Sequence, residues 1–542
     1  MTGIDPMFIF SETPVTPMEV AYACVFDPST APGGYAFDHL QDRVAERLPS
    51  LAPFRRRLMS VPMGLDNPRW VDDPDFELAN HLRRGGFPAQ GGEVRLSDLA
   101  AEVMGRPLDP GQPPWEMHVI EGLPNGRIGV IAKVHHSLID GVSGTQMLAQ
   151  LLDVSPDGPA ANLECAPWHP PAPPSPRQLL TDALPSFLTT PLRAARAGRE
   201  VGRTSLRLLR HAAYAGISGL SIPLGAPAEF ATPMKASRQV SFAAVPLDDV
   251  LRLKEHLGVT INDIVLAVCS GALRTYLSTH DRATAVPMVA VVPVSVRGQS
   301  ESDAMGNRLS AMFVPLATDQ DRPLDRLSAV VGASASAKRQ EREVGYSALM
   351  SAVSDALPPA ITRPAIRLGA RLGAVRRLRP GNLVVSNVPG PTFPLYLAGM
   401  RMESVFPIGP IVDGVALNIT VQSYLNTLFV GLNACPVVVP DLDALAGSFV
   451  RELDHLTRAA TDQGRLPAVP LEDAPTRPPR PAPRSVPRQA APTPHAVTSS
   501  LNLRSRRERL ARARVPVAAN SAAPRPLAFG VPCLGVDDNE GW

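Results

Sequence analysis

The sequence has no apolar run long enough to cross a bilayer. The longest, Ala285 to Val296, is about a dozen residues and is interrupted by Pro287 and Pro293. No basic stretch followed by a long apolar one opens the chain, so no signal peptide is expected. Charge of one sign is missing as well. Lys and Arg number 53 against 51 Asp and Glu, a net charge of +2, which gives no reason to expect nucleic acid as a partner. The five cysteines (Cys24, Cys165, Cys269, Cys435, Cys533) are odd in number, widely scattered and without metal-ligand spacing. They read as reduced thiols in a cytosolic protein. No G-x-G-x-x-G follows a strand and no Walker sequence occurs, which removes the common phosphate-cradling loops. A G-x-S-x-G elbow and a reactive-looking cysteine motif are also absent, which removes the usual serine and thiol nucleophiles.

The chain does have length and proline. At 542 residues it exceeds one ordinary core, and 44% apolar residues with 19% charged ones describe a globular protein. The 59 prolines are concentrated and mark the joints. Residues 1–154 form a first block, and 155–236 a Pro-rich and then Arg-rich helical crossover. Residues 237–465 form a second block, and 466–542 a Pro-, Ala- and Arg-rich tail. The tail has too little apolar sequence to offset its ordering entropy and is expected to be disordered.

Periodicity places the elements. Strands are expected at Val20–Phe26, Pro113–Ile120 and Arg127–His136, the last two joined through Asn125-Gly126. Further strands are expected at Met288–Val296, Ala311–Leu316 and Asn382–Val388, then a hairpin over Gly414–Tyr424 and Asn426–Asn433. Helices are expected at Phe37–Leu48, Ser143–Asp153, Arg177–Gly216 and Asp248–Leu257. One from Ile261 is capped by Thr260-x-x-Asp263, and another covers Asp441–Arg458. Two arginine series, Arg193–Arg210 and Arg363–Arg379, read either as solvated helix faces or as contacts with phosphate or lipid headgroups.

One stretch carries chemistry: His135-His136-Ser137-Leu138-Ile139-Asp140-Gly141. Four fixed residues in such a window arise by chance in a chain this long with odds on the order of 10⁻³. Adjacent histidines on a strand point to opposite faces, so they do not share a metal, and no metal is expected. Ile128, Val130, Ala132, Val134 and His136 share one apolar face; Gly129, Ile131, Lys133 and His135 share the other. On this reading His136 points into a desolvated space and His135 to a more polar side. An imidazole with a pKa near ~6.5 suits general-base catalysis at neutral pH. Asp140 either orients the imidazole or pairs with an arginine to hold the loop, the latter favoured, and Gly141 permits a tight turn.

His-His-x-x-x-Asp-Gly is the hallmark of acyltransferases built like chloramphenicol acetyltransferase, a group that includes peptide-synthetase condensation domains. The first 465 residues resemble the bacterial wax ester synthase/diacylglycerol acyltransferase family within it. The resemblance rests on an ordered set: Ile4-Asp5-Pro6-Met7-Phe8 with Pro17-Met18, and Pro114-Trp115-Glu116 with Pro113-Pro114 in place of Pro-Leu. Thr260-Ile261-Asn262-Asp263, Val291–Arg297, Gly306-Asn307-Arg308 and Ser386-Asn387-Val388-Pro389-Gly390-Pro391 follow. Glu19 stands where many relatives carry His, a departure expected to be harmless.

The resemblance implies an α/β fold of two similar subdomains, each a mixed sheet flanked by helices, with a channel between them. It implies that His136 deprotonates a hydroxyl of diacylglycerol or a long-chain alcohol, which attacks an acyl-CoA thioester. Acyl-CoA is then a co-substrate, and no cofactor is called for. Asn262 and backbone N–H groups near Gly141 are candidate oxyanion donors. Capping and subdomain contact are equally good roles for Asn262 and Asp263. Trp115, Ser386 and Asn387 are candidates for shaping the substrate site. Two other readings stay open: a condensation-type enzyme using a carrier-protein thioester, and a non-catalytic lipid-binding protein on the same scaffold. The expected location is the cytoplasm, with any membrane or lipid-droplet contact peripheral.

Overall fold

The computed structural model describes residues 5–86, 95–138, 151–158, 170–215, 230, 232–282, 286–295, 309–344, 357–379 and 381–463. They belong to one compact unit. The expectations for Asp140, Gly141, Gly306-Asn307-Arg308 and the 466–542 tail lie outside these residues, as does most of the expected helix at Ser143–Asp153.

Alternating apolar residues generate two six-stranded sheets among the described residues. Edge to edge, the first contains β11 (Tyr396–Leu397), β12 (Met400–Ile408), β1 (Glu19–Asp27), β6 (Ile128–His135), β5 (Trp115–Glu121) and β4 (Leu82–Gly86). Its pairings are antiparallel except β4 with β5. The second contains β7 (Gln239–Pro246), β14 (Thr427–Ala434), β13 (Leu417–Tyr424), β10 (Leu383–Val388), β8 (Val289–Ser295) and β9 (Leu309–Pro315). There β10 runs parallel to both β13 and β8. A small ribbon pairs β2 (Arg56–Met59) with β3 (Arg69–Asp72).

Helices cover both faces of the first sheet. Leu40 and Val44 of α2 (Phe37–Arg47) share a core with Cys24, Val130, Ala132 and Val134. Ala100, Val103 and Met104 of α3 (Leu96–Gly105) pack with Ala21, Ala23 and Ile131 on the opposite face. Every residue of β6 is therefore buried.

In the second half, α6 (Leu247–Leu257), α7 (Ile261–Thr279), α8 (Pro323–Val344) and α11 (Leu442–Gln463) join Val385, Leu417, Ile419 and Val421 in one large core. The expected capping box is present. Thr260 Oγ1 accepts from Asp263 N at 3.2 Å, and Asp263 Oδ2 accepts from Thr260 N at 3.1 Å. The crossover carries α4 (Pro176–Leu188) and α5 (Thr190–Ala215). Outside both cores lie α1 (Asp5–Ser11), α9 (Pro359–Arg371) and α10 (Ala374–Leu378). Among the described residues no single helix is long and apolar enough to cross a membrane.

One division made from sequence needs correction. The second block, begun at residue 237, donates β11 and β12 to the first sheet, where Ala21 pairs with Ile408 and Cys24 with Val405. Without β12 the β1 backbone would be an open edge. Partner choice of this kind is non-local, and alternation within Met400–Ile408 does not reveal it.

The two sheets also touch closely here. A Cβ on Gly431 of β14 would lie 1.8 Å from the Pro407 carbonyl oxygen of β12, so only glycine allows the approach. Gly431→Ala is expected to lower stability by about 1–3 kcal/mol or more through forced separation of backbone from backbone. Urea unfolding measures it. Gly198→Ala, whose Cβ would meet nothing within 4 Å on α5, is the control and is expected to be neutral or stabilising.

Candidate active site

The histidine pair sits where β6 ends. Glu19 of β1 lies directly across from His135, and His136 N–H donates to Met18 O at 2.8 Å. Leu138 N–H donates to His135 O at 2.9 Å, closing a turn immediately after the strand. The backbone of both histidines is therefore fixed by β1 and by the turn.

The two rings are held differently. His135 Nδ1 accepts from Ser137 N–H at 3.1 Å and lies 2.7 Å from Ser137 Oγ. A backbone N–H can only donate, so the His135 ring proton resides on Nε2, which is 3.5 Å from Glu12 Oε2. Thus His135 bridges the turn to the segment after α1. The His136 ring stacks on Phe8 of α1, with centroids 4.2 Å apart and planes inclined by 14°. A flat aromatic face restricts ring rotation.

Burial differs from the expectation. His135 is the buried member of the pair and His136 is half-buried. The Lys133 face is not solvated either, because α3 covers it as α2 covers the other. Lys133 is fully buried, with Nζ 2.7 Å from Glu19 Oε2, 2.9 Å from Val103 O, 3.4 Å from Glu116 Oε1 and in contact with Arg106 O. Val103 O and Arg106 O mark the C-terminal end of α3, where the helix dipole favours a cation. Glu19, also fully buried, accepts from Leu108 N–H at 2.6 Å. Glu19 is therefore not a neutral replacement. It is the counter-charge for a lysine on the histidine strand.

Electrostatics follow from this packing. Burial pushes the Glu19 carboxyl above its ordinary range, against the opposing pull of Lys133. Burial also works against ionisation of Glu116, but His118, Lys133 and Arg83 together outweigh it and hold that carboxyl down at about 2.

The other sequence candidates divide. Trp115 is a core residue: its Nε1–H donates to Phe54 O at 2.7 Å and its ring stacks on His81 at 4.7 Å. It shapes the site only by setting β5 beside β6, where it pairs with Val134. Asp263 commits its carboxylate to the α7 cap, and Asn262 occupies the first turn of that helix. Ser386 and Asn387 lie on β10 of the second sheet, paired with Thr420 and Val421. Asp140 and Gly141 fall outside the described residues.

Sequence reasoning missed Glu12, Phe8 as a ring partner, and the Glu19–Lys133 pair. The last had a legible signal, a lone lysine within β6 and a glutamate opening the apolar run of β1.

Comparison with known proteins agrees with this architecture. Residues 1–265 match the wax ester synthase/diacylglycerol acyltransferase catalytic domain, and residues 305–457 the WS/DGAT C-terminal domain. A Mycobacterium tuberculosis protein named as a diacylglycerol O-acyltransferase is 34% identical over 476 residues, 85% of this chain and 91% of that one. The solved wax ester synthase/diacylglycerol acyltransferase of Marinobacter aquaeolei is 28% identical. It superposes with a TM-score of 0.59 over 84% of this chain and 98% of its own. The trichothecene 15-O-acetyltransferase of Fusarium sporotrichioides, at 10% identity, shares the fold, with a TM-score of 0.56 over 84% of this chain and 94% of its own.

Two outcomes test the charge cluster. Lys133→Met strands the Glu19 carboxylate and is expected to cost about 3–5 kcal/mol in urea unfolding, with much of it restored by adding Glu19→Gln. Glu116, with its pKa depressed from 4.5 to about 2, contributes stability that is present above pH 4.5 and lost as pH falls toward 2. Glu116→Gln is therefore expected to flatten the acid limb of a stability–pH curve.

Proposed function

Because the chain belongs to the wax ester synthase/diacylglycerol acyltransferase family, we propose that it transfers a long-chain acyl group from acyl-CoA to the free hydroxyl of diacylglycerol, with His136 as general base. The observation that carries the assignment to His136 is the division of labour between the two rings. His135 has Nδ1 occupied by the Ser137 N–H and Nε2 turned to Glu12. His136 is held by its backbone on Met18 and by its ring face on Phe8.

His136 takes the acceptor hydroxyl proton as the oxygen attacks the thioester carbonyl. The tetrahedral oxyanion collapses, the C–S bond breaks, and the imidazolium returns the proton to the departing CoA thiolate. The thioester is already activated and the acceptor is bound beside it, so neither an acyl-enzyme nor a cofactor is required. By their place in the His-His-x-x-x-Asp-Gly motif, Asp140 and Gly141 belong to the same proposed site. Peripheral contact with a lipid phase belongs to this reading, because diacylglycerol does not dissolve in water and must be taken from a lipid surface.

The test uses purified full-length protein with a labelled long-chain acyl-CoA and diacylglycerol, with hexadecanol as the rival acceptor. Thiol release and labelled triacylglycerol are expected, with diacylglycerol preferred. His136→Ala is expected to lower kcat by about 10²–10⁴. Full activity in that variant overturns the assigned base. Transfer only from a carrier-protein thioester overturns the acyl-CoA assignment.

A further inference from the structure

A second region of the surface combines exposed apolar side chains with arginine. The short turn Pro62–Gly64 lies between two helices of the outer layer. The start of α9 abuts it so closely that a Cβ on Gly64 would lie 2.9 Å from Ala360 N. On the other side α4 is tied to the same segment by Arg69 to Asp182 at 2.8 Å and Ser186 to Asp66 at 3.2 Å. Met63 at the tip of the turn is 73% exposed, Leu188 at the end of α4 is 68% exposed, and Leu368 of α9 is 57% exposed. One such side chain is ordinary on a protein surface. Several on three adjoining segments form a patch.

The pattern within α9 is more informative. Ile361, Ala365, Leu368 and Leu372 recur at steps of four, three and four, so they form one stripe along the helix. All four are exposed. Thr362, Ile366 and Gly369 lie on a second line and are half-buried. Arg363, Arg367 and Arg371 recur at steps of four on a third line, and all three are exposed. The helix thus has one half-buried face, one outward apolar face and one cationic face. Residues 359–379 hold six arginines and no acidic residue.

We propose that the face formed by α4, the 62–64 turn and α9 docks on an anionic lipid surface. A helix lying in the interface immerses an apolar stripe among acyl chains and sets arginines at headgroup level. A second copy of the chain is a poor occupant, since it would bring two arginine-rich helices together. The position also suits the chemistry. Helix α9 packs against α1, and α1 carries the Phe8 ring that stacks on His136. The use of the docked surface as a source of acceptor rests on the acyltransferase reading above; the docking itself does not.

Flotation of the full-length protein with vesicles tests it, comparing phosphatidylglycerol mixed into phosphatidylcholine with phosphatidylcholine alone. The wild type is expected to float with the anionic vesicles. Replacing Arg363, Arg367 and Arg371 with Gln is expected to weaken partitioning on the order of a hundredfold. Ile361→Ser with Leu368→Ser and Leu372→Ser is expected to weaken it tenfold or more. A Leu368→Trp reporter, read as the difference from the wild type with its four native tryptophans, is expected to add a blue-shifted component on adding anionic vesicles, a signal that binding through the tail would give equally in both proteins and so would not add.

Both multiple variants are expected to keep wild-type thiol release with a detergent-dispersed acceptor, which shows that they are folded. Loss of transfer in every assay, with docking intact, overturns the functional proposal and leaves this one standing. Undiminished flotation of both multiple variants, or no added blue-shifted component from the Leu368→Trp reporter, overturns the docking surface. Equal flotation with neutral vesicles overturns its electrostatic part.

Discussion

The Lys133 ammonium is the contact on which the site depends. A lone cation in a covered sheet would be prohibitively costly, yet here four oxygens surround it. They come from β1, from β5 and from the C-terminal end of α3. One charge therefore ties together two strand neighbours of β6 and the helix above them. A slip of β6 by one residue would carry Lys133 into the apolar core against α2 and leave the Glu19 carboxylate without its counter-charge. His135 ends that strand and His136 opens the turn after it, so their placement is inherited from that register.

The N-terminal segment completes the arrangement. Glu12 accepts from Met18 N–H at 3.3 Å and faces His135, while Phe8, four residues earlier, covers His136. This small helix touches both the histidine turn and α9 of the outer layer, so the proposed lipid surface and the proposed base share one structural neighbour. The close approach at Gly431 performs the comparable task between the sheets, since β12 can serve the first sheet only by passing close against the second.

Much of the fold was legible because its strands alternate and its turns are marked. The Thr260/Asp263 cap, the 417–424 and 427–434 hairpin and the strand leading to the histidines fall where periodicity puts them. Family membership was legible for a different reason, the order of several short motifs. The site was legible only in outline. Alternation assigned the histidines to opposite faces but could not reveal that helices cover both, so His135 was expected on a polar side and is instead the more buried ring. Trp115 belongs to a motif, yet its indole is occupied with Phe54 and His81.

By itself the sequence determined what depends on neighbours along the chain: periodicity, caps, turns, the His-His-x-x-x-Asp-Gly spacing and the arginine series on α9. Tertiary structure alone decided which distant segments meet. It moved β12 to the first sheet, gave Lys133 its counter-charge in Glu19, and distinguished the two histidines through Ser137, Glu12 and Phe8. The physical reason is that burial and charge pairing are properties of a place in three dimensions. A strand's own residues state which faces it has, and only the elements packed against it state what those faces meet.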